Sequence, residues 1–307
     1  MKICTSLIFL IILFSACKKD QPISGENHLV KIVYTNGSAT SKQEFEYDAS
    51  GRLIKKTYAE NGNPPRVQNE IVYTGNEVAI SYLDEPSYFR RDTRYQLDAH
   101  DRPVKRIFSY FDSLPVPLGP QKDFATDTTT YEYDVNGYLM RYTGVSKDSV
   151  RYYGSPGVLD VQSNTFTYTT IYEIDAGNLK SVKKTSQQQH VTANYPGLPY
   201  SFQRIIEETT VFYYDKKYPN HLDFRNAFLF TELNVLPFSS YVPNPGYLNY
   251  PNKAVTTKIT KDANGVVLST DVFTEEPNLN FDTNGYLLTL TNVFSPQSKE
   301  IYNYSGF

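Results

Sequence analysis

The sequence predicts an all-β protein: an antiparallel up-and-down β-meander of hairpin repeats forming one large curved sheet, with little or no helix. Three observations predict it. A turn motif recurs along most of the chain, the residues before each copy alternate aromatic and polar with period two, and the composition suits strands. The 307 residues include 27 Tyr and 18 Phe but no Trp. Tyrosine favours strands and serves a half-buried sheet, ring inward and hydroxyl toward water.

Residues 1–16 read as a removable signal segment. Lys2 supplies a positive start, and the apolar run Leu7 to Phe14 is shorter than the ~20 residues of a permanent membrane helix. Phe14-Ser15-Ala16-Cys17 then sets small residues before a cysteine. This pattern resembles the lipobox of bacterial lipoproteins. The resemblance implies cleavage before Cys17, a diacylglycerol thioether on its sulfur, and an acylated new N-terminus held in a lipid bilayer. Residues 17–28 read as a lipidated, flexible tether, polar and without pattern. Lys18-Lys19-Asp20 resembles the start of many lipoproteins from Bacteroidota. That likeness implies residence in the outer membrane, on its periplasmic face or at the cell surface.

Residues 29–307 form the predicted β domain. Phe45-Glu-Tyr-Asp48-Ala-Ser-Gly51 and Tyr131-Glu-Tyr-Asp134-Val-Asn-Gly137 show the motif clearly. Related copies centre on Asp98, Asp175, Asp215, Asp262 and Asp282. The aspartate accepts backbone N–H groups just after it, and Asn-Gly tolerates the positive φ of a tight hairpin. A strand then returns with Leu or Val. The intervals between Asp48, Asp98, Asp134, Asp175 and Asp215 are 50, 36, 41 and 40 residues. A second connection falls midway in each, at Thr74-Gly75-Asn76, Leu114 to Pro120, Gly154 to Gly157, and Tyr195 to Tyr200. Asp-turns are therefore expected along one edge of the sheet and longer, Pro-rich loops along the other. The one candidate helix is Phe224 to Leu233, which reads equally well as a strand. A sub-boundary is placed near 236–253, the longest unpatterned stretch.

The Tyr-x-Tyr-Asp-x-x-Gly-x-Leu pattern is similar to the YD repeats of the RHS family, which build long curved β-meanders. With the lipobox, the chain resembles Bacteroidota lipoproteins whose bodies consist of degenerate repeats of this kind. Asp101 replaces the turn glycine in one copy, and Gly177-Asn178 shortens another. Seven copies are too few for a closed RHS shell.

Without residues 1–16 the chain keeps 291 residues, with 29 basic against 33 acidic side chains. That balance, with no basic cluster, argues against nucleic acid as a partner. Cys4 leaves with the signal and Cys17 is consumed by lipid, which excludes thiol catalysis and cysteine-ligated metals. Asp-x-Asn-Gly is similar to the start of a calcium loop, but no copy supplies the later ligands, so the aspartates read as turn caps. His28, His100, His190 and His221 are scattered, and no nucleophile elbow or phosphate loop is present. Glu207-Glu208 and Glu275-Glu276 are strand neighbours that face opposite ways. No cofactor or metal is called for.

The functional expectation is a non-catalytic binding or scaffold protein that takes a glycan or protein partner through loop aromatics. Tyr195, Tyr200, Tyr241, Tyr247 and Tyr250 stand among prolines, which hold a loop in one shape and lower the entropy lost on binding. The alternative is a hydrolase of envelope or nutrient polymers whose carboxylates are gathered only by the fold.

Overall fold

The computed structural model describes residues 27–84, 89–116, 119–153, 159–193, 200–214, 228–229, 232, 249, 251–276, 278–283, 286–292 and 295–306. They form seventeen strands. The first six are β1 (Asn27–Asn36), β2 (Ala39–Tyr47), β3 (Leu53–Glu60), β4 (Arg66–Thr74), β5 (Glu77–Tyr82) and β6 (Phe89–Leu97). Six longer strands follow: β7 (Pro103–Val116), β8 (Gly119–Tyr133), β9 (Leu139–Tyr153), β10 (Leu159–Asp175), β11 (Asn178–Ala193) and β12 (Tyr200–Tyr213). The last five are β13 (Lys253–Asp262), β14 (Val267–Glu275), β15 (Asn278–Phe281), β16 (Leu287–Asn292) and β17 (Ser295–Gly306).

Every ladder is antiparallel. Strands β1 to β14 pair in sequence order, β15 to β17 do the same, and β17 returns to pair with β1. The curved meander is thus as the sequence predicts, and it is not closed. Among the described residues no ladder joins β14 to β15. The alternation of directions makes β14 and β15 run the same way. The chain therefore passes from β14 to β15 without reversing.

The repeat explains itself at atomic level. The Asp48 carboxylate accepts the N–H groups of Ser50 and Arg52 at 2.9 and 3.0 Å, and Arg52 Nε at 2.8 Å. Asp98 binds His100, Arg102 and the Arg102 side chain identically, while Asp134 holds Asn136 and Tyr138, and Asp262 holds Asn264 and Val266. Burial pushes the Asp48 carboxyl up, but hydrogen bonds from Ser50 and Arg52 outweigh it and bring its pKa to about 2. The residue three after the aspartate is left-handed: Gly51 at φ 79°, Gly137 at 89°, Gly265 at 84°. In the shortened copy Ala176 and Gly177 take φ 47° and 79°, a two-residue turn between Asp175 and Asn178.

The tyrosine before the aspartate has its own task, which the sequence alone did not reveal. Its ring faces inward and its hydroxyl donates to a main-chain carbonyl near the start of the strand beside it, as does that of Tyr73, which precedes no aspartate. Tyr47 reaches Leu29 O at 2.5 Å, Tyr73 reaches Leu53 O at 3.2 Å, Tyr133 reaches Pro103 O at 2.9 Å, and Tyr214 reaches Leu179 O at 2.8 Å. Each of these four strand ends is thereby tied to the strand beside it. Arg52 and Arg102, bound to their own aspartates, also lie over the Tyr73 and Tyr133 rings at 4.5 and 4.7 Å.

The same pattern builds the core. The aromatic three before the aspartate and the Leu or Pro after the turn are buried: Phe45, Tyr95, Tyr172 and Phe212 with Leu53, Pro103, Leu139, Leu179 and Leu287. Two apolar clusters result, one over β1–β6, β16 and β17, the other over β9–β13. The outward face is polar, with cross-strand pairs such as Lys55–Glu46 and Lys261–Glu207, both at 2.7 Å.

Two expectations are corrected. Thr74-Gly75-Asn76 joins β4 to β5 at the Asp-turn end, not at the long-loop end. The 50-residue interval holds three connections where one was expected, because Asn61-Gly62 and the link after Leu83 also turn the chain. The Asp262 turn joins β13 to β14 at the opposite end from Asp48, Asp98, Asp134, Asp175 and Asp282. The 214–252 crossover leaves β12 and enters β13 at the Asp-turn end, so the next turn must lie opposite. Phe228, Leu229 and Glu232 from this crossover are helical, which decides the ambiguous stretch at those positions. Strands β12 and β13 pair with each other across it.

Asp101 (φ 58°) takes the left-handed position that glycine holds in the Asp48, Asp134 and Asp262 turns. Asp101→Gly should raise stability in urea melts by about 1 kcal/mol; an unchanged or lower midpoint would show the strain is offset elsewhere.

Lys56 lies on the inner face opposite Asn69 and is 6 % exposed. Burial pulls its ammonium down to a pKa of about 8, whereas an unfolded chain keeps that proton to about 10.4. Between those values the folded state binds fewer protons, so stability should rise from about pH 8 to pH 10. Lys56→Met should flatten the rise, and parallel slopes for both proteins would refute the assignment.

Candidate functional site

The inner face divides into an apolar half at the Asp-turn end and a polar half at the other. Strands β7–β12, at 14 to 17 residues, extend past their shorter neighbours and carry most of the polar half.

At the middle of this face sits a buried carboxylate from the crossover. Glu232 accepts from Tyr95 Oη at 2.8 Å, Tyr82 Oη at 3.1 Å and Arg106 Nη2 at 3.2 Å, with Thr93 Oγ1 at 3.4 Å. Burial pushes its carboxyl up, but the Arg106 guanidinium outweighs that and holds it below its ordinary value. Arg106 also meets Asp127 Oδ1 at 3.2 Å, and Asp127 accepts from Thr129 and Tyr168 at 2.7 and 2.6 Å. Beside Glu232, Phe228 packs edge-on against Tyr95 at 4.9 Å between ring centres. Every acidic oxygen here is engaged by the protein itself. The cluster fastens the crossover to the sheet and offers no open position to a substrate.

Toward the free end of β9–β12 lies a different arrangement. Asp148, Asn164, His190 and Phe202 face one another in a single cross-strand row, with Tyr200 and Arg204 flanking it on the same face. Asp148 Oδ1 accepts Asn164 Nδ2 at 2.8 Å, which turns Asn164 Oδ1 toward Gln188 Nε2 at 3.2 Å and His190 Nδ1 at 2.8 Å. A carboxylate accepts only, so this chain makes Nδ1 the donor of the His190 ring. Nε2 faces the Thr192 hydroxyl at 2.9 Å. The His190 ring stacks on Phe202 at 4.8 Å and 21°, Tyr200 stands 5.7 Å from Phe202, and the Arg204 guanidinium covers Phe202 at 4.5 Å. Tyr200 is 59 % exposed. An aromatic ledge thus adjoins a row of oriented amide and carboxylate groups.

Of the residues singled out in the sequence, Tyr200 belongs to this ledge. It opens strand β12 instead of sitting in a loop, so its ring is aimed by the sheet. Cys17, Tyr195, Tyr241, Tyr247 and Tyr250 lie outside the described residues. The segment bearing the last three joins the sheet at the end opposite Tyr200. His28 is buried against Tyr47, and His100 donates its backbone N–H to the Asp98 turn. His221 lies outside the described residues. Among the described residues no group of three or more His, Cys, Asp or Glu is placed to hold a metal ion.

Glu232 and its partners were not visible in the sequence because they lie 126 to 150 residues apart. One signal was available: Arg106 and Asp127 fall in phase with the inward aromatics of their strands, where a charge needs a partner.

No family model matches the chain, and no curated protein does either. Among solved structures, it is similar to a porin-like protein from Bacteroides uniformis ATCC 8492, with 13 % identity and a TM-score of 0.39. That match covers 90 % of this chain and 96 % of the other. It is also similar to a chain of a TcdB2-TccC3-Cdc42 structure at 12 % identity and TM-score 0.19, over 86 % of this chain and 17 % of that one. A TcdB2-TccC3 structure gives 10 % identity and 0.19, over 86 % and 18 %.

Arg106→Met leaves the buried Glu232 without its counter-charge and should cost about 3 kcal/mol or more in urea melts. Adding Glu232→Gln should recover part of that loss. A single variant as stable as the parent would show the carboxylate is solvated.

Proposed function

We propose that this chain is an envelope lipoprotein, anchored through an acylated Cys17, whose YD-like repeat body binds a glycan without catalysis. The observation that carries this reading is the inner-face ledge of Tyr200, Phe202 and His190 beside the oriented Asn164–Asp148 pair. Sugar rings present apolar C–H faces and hydroxyl edges. An aromatic plane next to amides and carboxylates of fixed orientation satisfies both at once. The groups are held by their own cross-strand hydrogen bonds, so little freedom is lost on binding. The tether after Cys17 would hold the body off the membrane, leaving the ledge accessible to polymers at the outer membrane.

Binding of the purified protein to a glycan array, followed by calorimetry on the best glycan, tests the reading. Tyr200→Ala with Phe202→Ala should weaken that glycan by at least about tenfold, or 1.4 kcal/mol, while thermal stability stays nearly intact. Full affinity in the double variant removes the ledge from the site. Separately, Cys17→Ala should release the protein from membranes and abolish labelling by a fatty-acid analogue; retained labelling overturns the anchor.

A further inference from the structure

The aromatic ledge has a counterpart across the sheet. Phe89 and Tyr110, on β6 and β7, stand with ring centres 5.3 Å apart, and the Arg91 guanidinium lies 5.5 Å from Phe89. Arg91 also covers Tyr82, whose hydroxyl reaches Glu232, which sets this pair on the inner face. The ladders bring the pair into line with the ledge. Tyr110 joins Phe202 in one cross-strand row through Ala125, Asp148, Asn164 and His190. The next row toward the free strand ends runs in the same way from Phe89 to Tyr200. Each end of this double row thus carries two rings and an arginine. Burial, then the charges of Asp123, Asp112 and Asp148, push the Tyr110 hydroxyl up, so these three carboxylates gather beside the rings.

We infer that the ligand is a segment of a linear, neutral polysaccharide laid across the strands, one sugar on the Tyr200–Phe202 ledge and another on the Phe89–Tyr110 pair. This rests on the glycan reading above and extends its site to β6. Strands β7 and β12 are five ladder steps apart, about 24 Å along the sheet at about 4.8 Å a step. A single sugar ring therefore meets one pair of rings, and only a chain of several sugars uses both. On β8, β9 and β10 the two rows carry Ala125, Asp123, Asp148, Val150, Asn164 and Gln162, with no ring and no cation among them. Ala125 and Val150 keep the floor low, while the amides and carboxylates face the hydroxyl edge of a chain passing over. A carboxylate accepts more than one hydrogen bond, so Asp148 keeps capacity for a sugar hydroxyl beyond the Asn164 amide. A chain bearing its own carboxylates or sulfates would lie over like charge, which selects against it. Once one end is seated, the other binds as an intramolecular step, so affinity grows with chain length until both ends are filled.

The test is calorimetry on the full chain with cello-, xylo- and malto-oligosaccharides, each from disaccharide to hexasaccharide. At least one series should gain about tenfold or more in affinity over that range. Phe89→Ala with Tyr110→Ala should return the hexasaccharide to the affinity of the disaccharide. Ala125→Arg leaves every ring in place and raises an obstacle between the two ends; it should abolish the length dependence too, so the outcome does not hang on the stability of the ring variant. Oligogalacturonate should not compete. Affinity that is flat with length, or a length dependence that survives both changes, would overturn the extended site while the Tyr200–Phe202 ledge stands. The same holds if all three series fail to bind and the array captures only a branched or acidic glycan. Capture of no glycan at all fails the ledge itself, and the extended site with it.

Discussion

Everything in this sheet depends on keeping one face inward through seventeen strands, and the Asp-turn is what keeps it so. A slip of one residue would move an entire strand's aromatics to water. Each Asp-turn is preceded by a one-residue register shift, between Glu46 and Tyr47, Gln96 and Leu97, or Glu132 and Tyr133. The carboxylate then pins the backbone two and four residues on, and the neighbouring tyrosine ties the turn sideways to a main-chain carbonyl. A side chain thus sets the phase of the strand that follows. The copies that lack parts of the motif show which parts matter. Around Asp262 the motif's two aromatic positions hold Ile259 and Lys261, which face outward, the returning Val267 is exposed, and that hairpin forms the edge of the sheet.

The apolar and polar halves of the inner face do different work. Near the Asp-turns, Leu, Phe and Tyr pack as a conventional core. Toward the other end, strands β7–β12 outrun their neighbours and carry Asp148, Asn164, His190 and Phe202, which among the described residues belong to neither apolar cluster. Polar side chains there satisfy one another across strands, which keeps rings such as Tyr200 oriented yet accessible. Between the halves, Glu232 fixes the crossover by a charge pair and three hydroxyls. A buried carboxylate is tolerated at that depth because Arg106 neutralises it.

The outer wall carries Lys–Glu pairs and threonines such as Thr130 and Thr143, joined at 2.9 Å. These groups favour water over hydrocarbon where they stand. Sheet edges are the remaining exposure. By pairing β17 with β1, the chain hides its first and last described strands and, among the described residues, leaves one seam. The open strand of that seam is the one whose turn motif is most degenerate.

Alternation and turn chemistry by themselves determined the antiparallel order, the strands flanking the Asp-turns and their inward residues, because both are local: a period of two and a five-residue hydrogen-bonding pattern. The same locality made Gly137 and Gly51 legible as left-handed, and it marked Asp101 as an exception. Tyr200 was legible as a displayed ring, though not as part of a strand. Only the tertiary structure decided which end each turn occupies, since extra connections lie between Asp48 and Asp98, the Asp262 turn falls at the opposite end, and the passage from β14 to β15 without reversal returns the Asp282 turn to the first. It alone joined Glu232 to Arg106, Asp148 to His190 through Asn164, and β17 to β1. Those contacts connect residues 16 to 279 positions apart, and no short-range pattern specifies them.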